Sequence, residues 1–172
     1  MKAILCETLG PPENLVLKDV KDPVAAENEA VVQVYAASLN FPDGLQIQGK
    51  YQFQPPLPFI PGSEIGGIIK SVGPGLKGFA VGDRVMAIPG LGGLAEQVIV
   101  KVEGLRKIPN NMDFKTAAGF AMVYTTSYYA LKQRAQLQPG ETLLVLGASG
   151  GVGLAAVELG KIMGARVIAA AS

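Results

Sequence analysis

The stretch that decides the fold is Thr142-Leu-Leu-Val-Leu-Gly-Ala-Ser-Gly-Gly-Val-Gly153. Residues Thr142–Leu146 form a nearly continuous apolar run, which predicts a strand buried on both faces of a parallel sheet. A glycine-rich turn follows, then apolar residues recur at helical spacing. Gly164 predicts the end of that helix, and Arg166–Ala170 predict a second strand. The apolar stripe expected in the core is Val152, Ala155, Ala156, Leu159, Ile162 and Met163.

This β-turn-α-β pattern places the turn at a helix N-terminus, where a dinucleotide pyrophosphate binds. Ala148, Gly150 and Gly153 form an A-x-G-x-x-G motif. A phosphate reaches backbone N–H groups only where no side chain blocks it, and Gly153 also lets the helix pack closely on the strand. The context favours a dinucleotide over a merely structural turn, although Ser149 also suits an ordinary turn. The predicted cofactor contacts here are Ser149, Gly150, Gly151, Val152 and Gly153.

The end of the second predicted strand indicates which dinucleotide binds. NAD-binding proteins of this type carry an acidic residue about 20 residues after the glycines, where it holds the ribose hydroxyls. This chain has Ala170, Ala171 and Ser172 there. A carboxylate would repel a 2′-phosphate, whereas the hydroxyl of Ser172 would not. The sequence therefore favours NADPH over NADH and adds Ser172 to the predicted cofactor contacts.

Composition excludes several functional classes. The chain has 172 residues, 49% of them hydrophobic, with 15 basic and 14 acidic residues and a net charge of +1. No basic run suggests binding to nucleic acid or to a membrane surface. No segment has the layout of a signal peptide, and no apolar run approaches the roughly 20 residues that span a bilayer. These features predict a soluble, cytoplasmic protein.

The numbers of cysteines and histidines limit the disulfides, metal sites and proton donors that this chain can form. Cys6 is the only cysteine, which excludes an internal disulfide and fits a reducing compartment. We expect Cys6 to be a buried strand residue rather than a reactive thiol. The chain has no histidine, so the commonest proton shuttle and the commonest zinc ligand are both missing.

The first part of the chain is rich in short strand patterns separated by glycine turns, which suggests a barrel or sandwich. Helical patterns begin near Asp113 and continue through residues 124–134. We expect one domain over residues 1–122 and an incomplete second one over residues 123–172. The predicted strands of the first domain are residues 3–7, 15–20, 30–37, 65–72, 84–88 and 95–102.

Several motifs resemble those of the medium-chain dehydrogenase/reductase superfamily, in the same order. They are Pro61-Gly-Ser-Glu-Ile-Gly-Gly67, Val81-Gly-Asp-Arg-Val85, Asn40-Phe-Pro-Asp43 and Tyr124-Thr-Thr-Ser-Tyr-Tyr-Ala130. With the glycine turn, they resemble its zinc-free quinone oxidoreductase branch, although enoyl reductases share nearly all of them. The resemblance implies an α/β fold with a β-rich part: a GroES-like, β-barrel-type catalytic domain followed by the first β-α-β unit of a Rossmann domain.

The resemblance also bears on metal binding. The positions that bind catalytic zinc in zinc-dependent members fall at Asn40, at Ser63 and near Met122. A neutral amide, a hydroxyl and a thioether make a poor zinc site, so we expect no metal. Without a Lewis acid, the acceptor should be a conjugated carbonyl, because conjugation spreads the developing charge and hydrogen-bond donors then suffice.

The resemblance supplies candidate roles that the residue types alone leave open. Asn40 is expected to donate its amide N–H to the acceptor oxygen or the nicotinamide ribose, or to be a turn residue. Asp43 orients that network or, preferably, caps the short helix that follows. The Tyr51 phenol binds or stacks on a quinone, or is merely an exposed aromatic. Thr126 packs against the nicotinamide, or is only a helix-start threonine. Glu64 is expected to pair with a buried arginine.

Family members continue well beyond this point, so we expect the chain to be a fragment of a longer enzyme, a homodimer in its full form. The expected reaction is zinc-free hydride transfer from NADPH to a small-molecule quinone, enone or similar conjugated carbonyl. One alternative is an enoyl-thioester reductase. Another is a non-catalytic, crystallin-like NADPH-binding protein. Whether these 172 residues are active alone stays open.

Overall fold

The structure is a computed structural model and describes residues 1–171. The chain divides into two compact units, Met1–Gly119 and Phe120–Ser172. The expected domain boundary between residues 122 and 123 stays a prediction. Ser172, a predicted cofactor contact, lies outside the described residues. No helix within residues 1–171 is long and apolar enough to cross a bilayer.

The first unit is built around a curled antiparallel sheet. Its two α-helices are α1 (Phe41–Ile47) and α2 (Phe114–Ala118), and short 3-10 turns lie at Pro12–Asn14 and Val102–Gly104. The strands are β1 (Lys2–Leu5), β2 (Val16–Asp19), β3 (Glu29–Ala37), β4 (Ile65–Val72), β5 (Arg84–Ala87), β6 (Gln97–Lys101) and β7 (Leu105–Lys107).

Five strands form the main sheet in the order β6-β3-β4-β5-β7, and all neighbours are antiparallel. The register of β3 against β4 shifts between Val31 and Val32 and again between Val34 and Ala36. Such irregularities bend a strand and increase its twist, which gives the sheet its curl. The strands and this curled sheet confirm the expected β-rich fold.

The core of the first unit is formed by the strands of this sheet. Its buried members come from all five strands, and those that share a strand lie an even number of residues apart, on one face. Cys6 is also buried, as expected, and its backbone pairs with Phe59. Burial raises the pKa of the Cys6 thiol, which keeps it protonated and unreactive. The core residues are Ala30, Val32, Ile65, Ile69, Val85, Ala87, Val98, Val100 and Leu105.

The second unit contains the expected β-turn-α-β arrangement. Strands β8 (Thr142–Leu146) and β9 (Arg166–Ala170) are parallel, with Thr142 opposite Arg166. Helix α4 (Gly151–Ile162) connects them, and Gly164 follows it at φ +83°, as its predicted role in ending the helix requires. Before β8 come α3 (Ala121–Tyr128) and a π-helical segment, Tyr129–Arg134.

Two expectations about burial in the second unit were wrong. Strand β8 is not buried on both faces, because Leu144 is 57% exposed and Leu146 75% exposed. The expected core stripe of α4 also fails at Val152 (46% exposed) and Ile162 (81% exposed). Both results have one cause: α4 covers one face of a sheet that has two strands in the described chain.

Gly153 allows a close backbone contact, and this role can be tested separately from the predicted binding of a phosphate. A Cβ on Gly153 would overlap the carbonyl oxygen of Gly147. We expect Gly153→Ala to lower the free energy of unfolding by about 1–3 kcal/mol, because a close backbone contact must open. Urea unfolding of the purified chain measures this.

Gly150→Ala is the matched control. A Cβ on Gly150 would lie 3.5 Å from the nearest atom, an ordinary contact. Its backbone angles, φ −79° and ψ 160°, suit any residue. The expected change is within about 0.5 kcal/mol. Equal destabilisation by the two variants would contradict the close approach at Gly153.

Candidate functional site

A buried polar cluster lies where β3 ends and β4 begins. These strands pair antiparallel with Ala37 opposite Ile65, so the residues just beyond that pair, Ser38 and Glu64, also face each other. The Ser38 N–H donates to the Glu64 carbonyl at 3.1 Å. The sheet register thus places a polar side chain next to the fully buried carboxylate of Glu64. We call Ser38, Asn40, Asp43 and Glu64 the Glu64 cluster.

The side-chain amide nitrogen of Asn40 donates hydrogen bonds to two members of this cluster. Nδ2 donates to Ser38 Oγ at 2.9 Å and to Glu64 Oε2 at 3.3 Å. Ser38 Oγ in turn donates to Glu64 Oε2 at 2.8 Å. Both amide hydrogens of Asn40 already have protein acceptors in this arrangement, and its expected role as a donor to a ligand stays a prediction. These neutral donors hold the Glu64 carboxylate, and its pairing with a buried arginine stays a prediction.

Asp43 caps the helix that contains it, not a helix that follows it. Helix α1 begins at Phe41 with Asn40 as its N-cap, and Asp43 lies in the first turn. Asp43 Oδ2 accepts the Asn40 backbone N–H at 2.8 Å. This is the carboxylate half of a capping box, and it fixes the Asn40 backbone. The preferred capping role is right, and the position of the helix is corrected.

Two buried polar atoms near this cluster lack a hydrogen-bond partner among the described residues: Asp43 Oδ1 and Ser63 Oγ. Both residues are more than nine-tenths buried. Such atoms are rare in native proteins, so each is a candidate contact for a water or ligand atom. Sequence reasoning named Ser63 only as a former metal position and missed Ser38. An alternating strand that ends in a small polar residue was the only available signal.

Tyr51 lies in the same unit, half-buried, outside the helices and strands between α1 and β4. Its phenol makes no hydrogen bond to the Glu64 cluster in the part of the chain that the structure describes. Its predicted role at a substrate ring stays a prediction.

The second unit holds the glycine turn. Gly147 adopts a left-handed conformation, φ +66°, and its carbonyl accepts the Gly150 N–H at 3.1 Å. The Ala148 N–H donates to the Ala170 carbonyl at 3.0 Å, which fastens the turn to β9. Helix α4 starts directly afterwards. This turn therefore holds the N-terminus of α4 in a fixed place beside the ends of both strands.

The start of α4 is open to a ligand. Ser149, Gly150, Gly151 and Val152 are all exposed. The first N–H groups of any helix lack acceptors within the helix, and its dipole favours an anion at that end. Exposed glycines with no blocking side chain suit the approach of a phosphate. The residues predicted to contact the cofactor here are thus brought together, apart from Ser172.

Thr126 lies in the second half of α3, so its placement at a helix start was wrong. Its Oγ1 donates to the Met122 carbonyl at 2.6 Å, and the residue is exposed. The next residue carries a contact that sequence reasoning missed: buried Ser127 donates from Oγ to the Val152 carbonyl at 2.8 Å. Ser127 thereby ties α3 to the first turn of α4.

An aromatic pocket of about 470 Å³ lies on the helices of the second unit. The rings of Phe120 and Tyr124 stack there, with centroids 4.3 Å apart. The Tyr124 hydroxyl donates to Glu158 Oε2. This bond, together with the charge of Glu158, raises the pKa of Tyr124. The pocket is lined by Phe120, Tyr124, Thr125, Tyr128, Tyr129, Gln133 and Leu159.

The contact between Tyr124 and Glu158 predicts a pH effect. The raised pKa means that folding favours the protonated phenol, so this contribution is present below pH about 10 and is lost as pH rises through the folded pKa. We expect Glu158→Gln to lower the pKa of Tyr124. The pKa of Tyr124 is measured by following tyrosinate absorbance against pH in each protein and subtracting the spectrum of Tyr124→Phe. Glu103→Gln, at an exposed carboxylate in the first unit, is the control. An unchanged Tyr124 titration in Glu158→Gln would contradict the contact.

Residues 26–110 match the family model "Alcohol dehydrogenase GroES-like domain". A quinone oxidoreductase-like protein 2 homolog from Nematostella vectensis is 42% identical over 175 residues, covering 98% of this chain and 47% of the relative. The quinone oxidoreductase of Thermus thermophilus, solved also with NADPH, is 41% identical with a TM-score of 0.89, covering 100% of this chain and 54% of that one. The CurK enoyl reductase is 30% identical with a TM-score of 0.90, and the match covers 99% of this chain and 54% of that one.

Residues 26–110 thus form a GroES-like domain, and the chain as a whole is similar to quinone oxidoreductases. The GroES-like match falls in the first unit, which contains the curled sheet and the Glu64 cluster. Several of its relatives are quinone oxidoreductases or resemble them. The chain spans about half the length of the curated relatives it matches.

Proposed function

We propose that this chain carries the first part of an NADPH-dependent oxidoreductase that reduces a quinone or a similar conjugated carbonyl without zinc. The observation that carries the proposal is the α4 N-terminus, where exposed Gly150 and Gly151 leave the backbone N–H groups open. The likeness to a quinone oxidoreductase whose structure was solved with NADPH supports it. We further propose a homodimer and a cytoplasmic location for the full enzyme.

The described residues fit NADPH. The first-turn N–H groups of α4 would bind the pyrophosphate, and Ser149 would add a hydroxyl. Strand β9 ends at Ala170, and neither Ala170 nor Ala171 has a carboxylate to repel a 2′-phosphate. When bound, NADPH supplies a hydride. The proposed contacts of Thr126 with the nicotinamide and of Tyr51 with the acceptor ring belong to the same proposal.

The donor set at the former metal positions does not fit zinc. Asn40 directs its Nδ2 at other protein atoms, Ser63 offers a hydroxyl and Met122 a thioether. Zinc sites in proteins use thiolate, imidazole and carboxylate ligands. A conjugated acceptor is therefore the better substrate, since its charge is spread as the hydride arrives. These 172 residues contain no histidine, and water is the proposed source of the one proton that joins the hydride.

An enoyl-thioester reductase is the second candidate. The likeness to the CurK enoyl reductase supports it, at a TM-score as high as that of the quinone oxidoreductase. An α,β-unsaturated thioester is also a conjugated carbonyl, so the Glu64 cluster does not discriminate between the two substrates.

NADPH binding tests the nucleotide site directly. Gly150→Ala leaves the fold intact but places a methyl group in the path of the phosphate. We expect its Kd for NADPH to rise roughly tenfold or more, the equivalent of one lost charge-assisted hydrogen bond. Gly119→Ala is the control, because its Cβ would meet nothing closer than 3.8 Å and it lies in the first unit. Unchanged affinity in Gly150→Ala would contradict phosphate binding at this turn.

Turnover separates the candidate reactions. NADPH oxidation is followed by absorbance with a simple quinone, an enone and an enoyl thioester in parallel. Faster turnover of the quinone is the expected result, because the quinone oxidoreductase of Thermus thermophilus is 41% identical to this chain and the CurK enoyl reductase 30%. Preference for the enoyl thioester would establish the second candidate. NADPH binding by the full-length protein with no turnover of any acceptor would instead indicate a non-catalytic nucleotide-binding protein.

A further inference from the structure

The orientation of the Asn40 amide decides what this residue can recognise. An asparagine side chain has a donor end, the NH₂ group, and an acceptor end, the carbonyl oxygen. Rotation by half a turn exchanges them with little change in shape. The function of Asn40 therefore depends on which neighbours hold the amide, rather than on the residue type.

The Glu64 cluster permits one orientation. Glu64 Oε2 accepts from Ser38 Oγ at 2.8 Å and from Asn40 Nδ2 at 3.3 Å. Because the Ser38 hydroxyl uses its only hydrogen on Glu64, Ser38 Oγ can act only as an acceptor toward Asn40, at 2.9 Å. A reversed Asn40 would point its carbonyl oxygen at two oxygens that both require donors. Repulsion of those lone pairs fixes the NH₂ group inward.

The remaining groups of Asn40 leave one atom for a ligand. The backbone N–H is held by Asp43 Oδ2 at 2.8 Å, and the backbone carbonyl accepts the Asp43 N–H at 3.0 Å. The side-chain carbonyl Oδ1 faces the first turn of α1, as in a capping box, and keeps a second lone pair. Asn40 is only half-buried. Because both amide hydrogens have protein acceptors, the side-chain atom that remains for a ligand is the acceptor Oδ1.

We propose that Glu64 and Ser38 are positioning residues that hold Asn40 as a hydrogen-bond acceptor, so that the site recognises an O–H donor and not a carbonyl oxygen. The identity of the donor rests on the proposed function: it is the hydroxyl of a hydroquinone or of the nicotinamide ribose. The substrate quinone, which has only acceptors on its ring, must then find its donor elsewhere in the site.

The orientation can be measured without ligand or activity. Hydrogen–deuterium exchange of side-chain NH₂ groups by NMR compares Asn40, assigned by its absence in Asn40→Asp, with exposed Asn110. We expect the Asn40 NH₂ to exchange at least about tenfold more slowly, because both hydrogens have protein acceptors. Exchange as fast as that of Asn110 in the unmodified chain would overturn the proposal.

Variants then test which groups impose the orientation. Glu64→Gln replaces the acceptor-only carboxylate with an amide that can also donate, so protection of the Asn40 NH₂ should fall to the level of Asn110. Ser38→Ala removes one acceptor and should accelerate exchange partially, which provides a second test if Glu64→Gln does not fold. Glu103→Gln, at an exposed carboxylate, should change nothing. Full protection in both folded cluster variants would overturn the role of Glu64 and Ser38.

Ligand probes test the recognition step by NMR titration. Hydroquinone is compared with its dimethyl ether, and nicotinamide riboside with free nicotinamide. In one of the two pairs, the probe that carries hydroxyl groups should bind roughly tenfold more tightly than its partner without them. That pair shows whether the hydroxyl that Asn40 accepts belongs to the hydroquinone or to the ribose. Asn40→Leu should abolish the preference. Equal affinities within both pairs, or no binding of any probe, would overturn the assignment of Asn40 as a ligand contact. Failure of NADPH turnover alone would count only against the proposed reaction.

Discussion

The pairing of β3 with β4 is the constraint on which the first unit depends. Strand β3 also pairs with β6, and β4 with β5, so this central contact organises the five-stranded sheet. A Cβ on Gly67 in β4 would overlap the Gln33 carbonyl of β3, so a close approach of the two backbones requires glycine there. The same register places Ser38 beside Glu64 at the end of the pair. One strand pairing therefore builds both the core and the polar cluster.

The second unit depends in the same way on a single close approach, that of Gly153 to Gly147. It brings the first turn of α4 against the end of β8, so the open N–H groups lie beside the carboxyl ends of both parallel strands. Dinucleotide phosphates bind at such places in doubly wound folds. Close packing and the proposed phosphate contact thus fall on different glycines of one motif: Gly153 approaches the Gly147 carbonyl, whereas Gly150 and Gly151 are exposed.

The Glu64 cluster shows how a site without the ligands of a zinc ion can still be electrostatically defined. A buried carboxylate needs donors, and Ser38 and Asn40 supply two neutral ones to Glu64. Their donors are consumed in the process. In the arrangement we propose, the cluster offers a ligand an acceptor, and the buried Ser63 hydroxyl is a polar group without a partner in the described residues.

The sequence by itself determined the β-α-β unit, the glycine turn and four of the five strands of the curled sheet, because these rest on local periodicity and on residues with special backbone freedom; the short strand β7 was missed. It also named Asn40 and Asp43, which the structure joins by a hydrogen bond. Only the tertiary structure decided the direction of the Asn40 amide, the position of Thr126 within its helix, and the exposure of Leu146 and Ile162. The Asn40 amide is held by a carboxylate from the next strand. The position of Thr126 depends on where its helix starts, and the exposure of Leu146 and Ile162 depends on how many strands the helix covers.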